Sequence, residues 1–112
     1  MTRPTLDLLH GTVDLLVLRT LAWEPMHGYA IGQFVKTRTD GAIALDSAAL
    51  YPALHRLERK GLLEESWGVS ETGREAKYYK LTPAGRRQLR AEAARWRQYA
   101  DSVTLALDAA EK

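Results

Sequence analysis

The chain contains no cysteine. That absence excludes disulfides and thiolate metal sites, and it fits a reducing compartment, the cytoplasm. No window approaches the ~18 consecutive apolar residues of a membrane-spanning helix, so no membrane role is expected. The first residues, MTRPTLDLLHG, carry no signal-peptide pattern, because polar and acidic side chains interrupt them early. The histidines, His10, His27 and His55, lie far apart, so neither a metal site nor another cofactor is expected. No nucleophile–base pair or glycine-rich phosphate cradle stands out. WGVSETG (67–73) lacks the strand–turn–helix setting of a hydrolase elbow, and the chain does not read as an enzyme. Internal repeats and low-complexity tracts are also absent. Net charge is only +2, so total charge says little about partners.

At 112 residues, 46% hydrophobic and 27% charged, the composition suits a single globular domain with a modest core. Charge distribution is more telling than its total. Residues 72–90 hold Arg74, Lys77, Lys80, Arg86, Arg87 and Arg90 against Glu75 alone. Such a concentration is either a solvated surface or an anion-binding face.

Amphipathic segments with clear stops make up the rest. In residues 11–23, Val13, Leu16, Val17, Thr20 and Leu21 follow helical spacing. Leu15, Leu18 and Ala22 widen the stripe, which predicts a helix buried on several sides. Glu24-Pro25 ends it, since proline disfavours helical geometry in the preceding residue. HGYAIGQFVKTRTDG (27–41) predicts a second helix with Tyr29, Ala30, Ile31, Phe34 and Val35 on its apolar stripe and Gln33, Lys36 and Arg38 outward. His27, just before it, reads as a packed or capping residue. Asp40-Gly41 signals a turn, and AIAL (42–45) reads as one short strand.

SAALYPALHRLERKG (47–61) predicts the third helix. Leu50, Leu54 and Leu57 line one face, while Tyr51, His55, Arg56 and Arg59 occupy the other. Asp46 or Ser47 is the expected N-cap. Proline in a helix interior costs ~3 kcal/mol. Pro52 is therefore expected in the first turn, with the helix starting at 48–50. Gly61 supplies the stop. After it the period changes: LLEESWGVS (62–70) and AKYYKLT (76–82) predict a hairpin with a charged tip, SETGREA. Alternation puts Lys77 with Tyr79 and opposite Tyr78, so one of the two tyrosines belongs to the core.

Thr82-Pro83 opens the last helix, expected over about 83–109. Leu89, Ala93, Trp96, Ala100, Val103 and Leu107 form a heptad-like seam along it. At 1.5 Å per residue this helix is ~40 Å long. A compact domain of this size is only ~26 Å across. The helix is expected to project and pair with a second copy. Helix, helix, helix, hairpin, long helix is a mainly α architecture: a winged helix-turn-helix over 1–82 and a dimerisation helix over 83–112. In a helix-turn-helix, the second helix packs one face inward and offers the other to the major groove.

Four stretches in this order resemble the PadR family of bacterial transcriptional regulators: GTVDLLVLRTL (11–21), MHGYAI (26–31), ALYPALHRLERKGLL (49–63) and KYYKLTPAGRRQL (77–89). The single C-terminal helix is similar to the short-form members. The resemblance implies a homodimeric DNA-binding repressor acting at pseudo-palindromic operators. The expected DNA-binding residues come from three places. On the recognition helix they are Ser47, Ala48, Tyr51, Pro52, His55, Arg56 and Arg59. On the wing, about 70–77 and the strand after it, they are Thr72, Arg74, Lys77 and Lys80. Tyr29 and Lys36 brace the backbone, although Tyr29 also fits a core position. Tyr51 suits a phosphate, or it packs. Arg56 reads guanine, reaches a phosphate, or pairs with Glu58 or Glu64. Trp96 either fills a hole in the dimer seam or walls a pocket for a small aromatic effector. The competing reading is a winged-helix module that binds protein. The basic stretch and outward Arg56 and Arg59 argue against it.

Overall fold

The computed structural model describes residues 11–112. His10 and the remainder of the first ten residues lie outside the described part. The elements in order are α1 (Thr12–Trp23), β1 (Met26–His27), α2 (Gly28–Arg38), α3 (Ser47–Arg59), β2 (Leu63–Val69), β3 (Glu75–Leu81) and α4 (Pro83–Leu107).

One core joins them. Val17, Leu18 and Leu21 of α1, Ile31 and Val35 of α2, and Leu50, Ala53, Leu54 and Leu57 of α3 are buried together. The hairpin closes over them with Leu63, Tyr79 and Leu81. Each fully buried leucine or isoleucine contributes about 1.5–3 kcal/mol. Tyr79 is the core tyrosine of the pair, 4% exposed, and burial pushes its phenol pKa up. Tyr29, in contrast, leaves the apolar stripe expected for it. It sits in the first turn of α2 and is 74% exposed.

β2 and β3 pair antiparallel from Leu63↔Leu81 to Val69↔Glu75. A third strand lies where the sequence suggested none. Met26 and His27 pair with Tyr79 and Tyr78, giving the order β1-β3-β2. His27 then caps α2, its Nδ1 accepting the Ala30 N–H at 3.2 Å. Residues 42–45, expected as a strand, are an irregular link. Both edges of β3 are already occupied, and the Ile43 N–H is taken by Thr39 Oγ1 at 3.0 Å.

α3 also starts earlier than expected. Asp46 is the cap, accepting the Ala49 N–H at 2.9 Å, and Ser47 is already helical. Pro52 therefore lies in the second turn rather than the first. The strong aspartate cap fixes the start, and the proline is carried inside.

Thr82 joins three elements. Its Oγ1 donates to the Gly61 carbonyl at 2.8 Å and accepts the Gly85 N–H at 3.0 Å, and its N–H donates to the Leu62 carbonyl. This ties the end of α3, the base of the hairpin and the start of α4 together. α4 ends at Leu107, two residues short of the expected end. Leu89 packs against the domain's own core. Farther out, α4 projects, and the molecule measures 60 × 37 × 21 Å. No described helix is long and apolar enough to cross a membrane.

Gly85 is where α4 meets the hairpin base most closely. A Cβ there would run into the Leu62 carbonyl oxygen and lie 2.7 Å from Leu81 Cδ1. Because the backbone of residue 62 cannot move aside cheaply, Gly85→Ala is expected to cost about 2–3 kcal/mol. Thermal unfolding followed by circular dichroism should show a melting temperature lower by about 10 °C or more. An unchanged value would mean that α4 docks differently.

Candidate nucleic-acid interface

The buried leucines fix how α3 is turned. At 100° per residue, the ridge opposite Leu50, Leu54 and Leu57 is Ala48, Pro52, His55 and Arg59. All four are exposed. Tyr51 and Arg56 stand on opposite flanks of that ridge.

Tyr51 leans on the start of α2. Its hydroxyl lies so close to Gly28 that a Cβ there would be 2.8 Å from the oxygen, so the position admits only glycine without rearrangement. Between α2 and the start of α3 is a hollow of about 410 Å³ whose walls include Tyr29, Lys36, Ser47 and Tyr51. The structure thus brings these four expected site residues together. Tyr29, Gln33 and Lys36 share one face of α2, as their spacing requires. A larger groove of about 840 Å³ opens between α2 and the inner side of the wing. Tyr29, Phe34, Arg38, Tyr51, Arg74 and Lys77 are among its walls.

Arg56 does not pair with Glu58 or Glu64. Its Nη2 donates to Asp14 Oδ1 of α1 at 2.7 Å. The physical reason is direction. Glu58, two positions on, projects from the wing side of α3, whereas Arg56 faces α1. Glu64 pairs across the hairpin with Lys80, on the sheet face opposite Glu65. Nothing in the local sequence marks Asp14 as the partner, 42 residues away.

A second set of ties runs from α3 to the wing. Lys77 Nζ is 3.0 Å from Glu65 Oε2 and lies 5.9 Å from the centre of the Trp67 ring. Glu58 of α3 hydrogen-bonds Glu65. That bond pushes the Glu58 carboxyl above the ordinary glutamate range, with partial desolvation adding to it. It holds the Glu65 carboxyl below that range, helped by Lys77. The Glu65 hydrogen bond in turn raises the Lys77 ammonium. Lys77 is therefore already neutralised by a neighbour.

The wing tip is residues 70–74. Ser70 N–H donates to the Arg74 carbonyl at 2.8 Å and Gly73 N–H to the Ser70 carbonyl at 2.9 Å, with Gly73 at φ 82°. Ser70 and Thr72 hydroxyls are 3.0 Å apart. Arg74 stands exposed at this tip. Lys80 lies on the other face of the hairpin with Tyr78, away from α3. Arg86, Arg87 and Arg90 are exposed on the first turns of α4, at the hairpin base. Seven strand residues separate tip and base, roughly 20 Å. The basic stretch of the sequence is thus divided between two ends of the wing and is no single patch. Among the described residues, no group of three or more His, Asp or Glu could hold a metal ion.

A family model described as the transcriptional regulator PadR-like family matches residues 17–91. The chain belongs to the PadR-like family of transcriptional regulators. The match spans all of α3 and the wing, so the geometry above, Asp14 apart, falls inside the matched region. A PadR family transcriptional regulator from Eggerthella lenta is 38% identical, with a TM-score of 0.72 over 89% of this chain and 85% of that one. A PadR family transcription regulator from Clostridium difficile is 29% identical, with a TM-score of 0.74 over 87% and 99%. Uncharacterized protein X of Lysinibacillus sphaericus is 29% identical over 94% of this chain and 96% of its own. These likenesses cover more of the chain than the family model does.

In this PadR-like regulator, the Glu58–Glu65 pair makes a solution-state expectation. Glu65 titrates low, so its contribution to stability is present above its unfolded pKa and fades as pH falls through the lowered value. Glu58 titrates high, so its contribution is present below its unfolded pKa and is lost as pH rises through the raised value. The two slopes oppose, and the clearest sign is a split titration rather than a large stability change. Side-chain carboxyl NMR should show one glutamate titrating below the ordinary range and one above it. Glu58→Gln should abolish the upper step. Two ordinary, superimposed titrations would show that these two carboxyls do not meet.

Proposed function

We propose that this PadR-like regulator is a homodimeric operator-binding repressor. One observation carries the reading: the outer ridge of α3 is exposed and holds His55 and Arg59, while the same helix is fixed to the core by its leucines. The ridge enters the major groove, where Arg59 pairs with guanine and His55 with a base edge or phosphate. Tyr51, Ser47, Tyr29 and Lys36 follow the phosphates along the hollow beside α2. Arg74 and Thr72 at the wing tip reach the backbone or minor groove. Arg56 is held by Asp14 in an exposed pair. Such pairs contribute only ~0–1 kcal/mol, so a phosphate competes for this guanidinium.

The second copy joins through α4. Trp96, Val103 and Leu107 lie on one stripe and are 37%, 40% and 78% exposed. Trp96 has Tyr99 beside it, ring centres 6.4 Å apart. Ala93 and Ala100 flank Trp96 on the seam and leave room for its partner ring. A small aromatic effector would sit at this seam and release the operator by changing the spacing of the two recognition helices. That spacing must be about one helical turn of DNA, ~34–36 Å.

Fluorescence anisotropy with duplex from the chain's own upstream region tests the reading. Wild-type protein should bind selectively and weaken steeply with salt. Arg59→Ala should lose about 5- to 150-fold on the selected duplex and little on random duplex. Arg74→Ala should weaken both and reduce the salt slope by about one. Indifference to duplex sequence, also in a genomic-fragment selection, would favour the protein-binding alternative.

The dimer has its own check. Val103→Glu places a charge on the stripe without touching the winged-helix core. Sedimentation equilibrium should show a dimer for the wild type and a monomer for the variant, with operator binding lost in parallel. A dimer that survives this change would place the two-fold axis elsewhere.

A further inference from the structure

The N-terminal end of the α3 ridge, the part of a recognition helix that contacts base edges, holds only Ala48 and Pro52. Neither side chain can donate or accept a hydrogen bond. Pro52 nevertheless changes the backbone there. It is the sixth residue of the helix, past the first turn, and it has no N–H. The amide that would close on the Ala48 carbonyl is therefore missing. Among the described residues, no side chain or turn amide outside the helix ladder supplies a donor in its place. Ala48 and Pro52 are both exposed, so this carbonyl lies on the solvent side of the helix, with the Pro52 ring as its neighbour in the next turn.

We propose that the Ala48 carbonyl oxygen is a backbone reader of the major groove, accepting a hydrogen bond from the exocyclic amino group of an adenine or cytosine. Those two amino groups are the donors that bases present in the major groove. The inference rests on the operator-binding reading above. It also accounts for a helix-destabilising residue placed where alanine would make a more stable helix. Pro52 frees an acceptor at the position where the ridge otherwise offers none.

Selection of binding sites from random duplex, run on the wild type and on Pro52→Ala, tests it. Alanine restores the N–H and occupies the carbonyl, and it favours the helix. Pro52→Ser is a second variant with the same backbone effect. The expected result is one position per half-site, adenine or cytosine for the wild type, at which both variants lose preference while the remaining motif is kept. At that position an analogue lacking the amino group, such as purine for adenine, should weaken the wild type about 3- to 10-fold, the worth of one neutral hydrogen bond. The variants should not respond to it. Identical motifs for all three proteins, or an analogue effect shared by wild type and variants, would overturn the inference and leave the operator-binding reading intact. A motif altered at every position would overturn it too, by showing that Pro52 acts through helix bending. No motif for the wild type would remove the operator-binding reading itself.

Discussion

The packing of Leu50, Leu54 and Leu57 against Leu18, Leu21 and Ile31 governs what the rest of the molecule can do. A helix buried on one side has one rotational setting about its axis. Here that setting turns Ala48, Pro52, His55 and Arg59 to solvent and leaves Tyr51 and Arg56 on the flanks. The flanking residues then meet the neighbouring elements. Tyr51 rests on Gly28, Arg56 finds Asp14, and Glu58 meets Glu65. None of these contacts needs to be strong, because the apolar core has already oriented the helix. They make small corrections to a geometry set by leucine burial.

Thr82 and Gly85 connect this winged-helix unit to α4. A single threonine hydroxyl takes one hydrogen bond and gives one, bridging the Gly61 carbonyl and the Gly85 amide. The close approach at Gly85 leaves α4 little freedom to pivot at its root. A second copy seated on the stripe of Trp96 and Val103 would therefore hold the two α3 helices at a defined separation. A ligand at the same stripe would act over the length of a stiff rod. The long helix transmits position, and it can do so because its root is packed and capped.

Much of this was legible in the sequence, and the exceptions have physical causes. The leucine stripe, the hairpin with its 70–74 tip and the Thr82-Pro83 start were readable because each rests on a local period or cap. β1 was not, because two residues carry no period. It exists only because Tyr78 and Tyr79 offer a free edge. AIAL has strand-like composition but no such edge to join. Pro52 departs from its expected place because the Asp46 cap, which the sequence leaves open against Ser47, starts the helix early enough to carry the proline inside. Tyr29 fits the apolar stripe by composition but not by angle: two residues from Ile31 it faces nearly the opposite way, with Gln33 and Lys36. The Asp14–Arg56 pair bridges elements far apart in sequence, and charge counting along the chain could not find it.

Charge counting misleads for a related reason. The basic stretch suggested one strongly positive face, but Lys77 is neutralised by Glu65, Lys80 lies on the far side of the hairpin, and three arginines sit at its base. Near the ridge and its groove, Lys36, Arg38, Arg59 and Arg74 are cations without an ion-pair partner among the described residues. In the proposed complex, with Arg59 directed at a base, Lys36, Arg38 and Arg74 would make about six phosphate contacts per dimer, which corresponds to a salt slope near −5. That would be a strong, salt-sensitive attraction that carries no sequence information. Discrimination between duplexes would then come, in the proposed complex, from the ridge itself: from Arg59, His55 and the backbone between Ala48 and Pro52. Because the electrostatic hold would be the same on every duplex, the orientation given to α3 by its leucines would bear directly on how well one site is told from another.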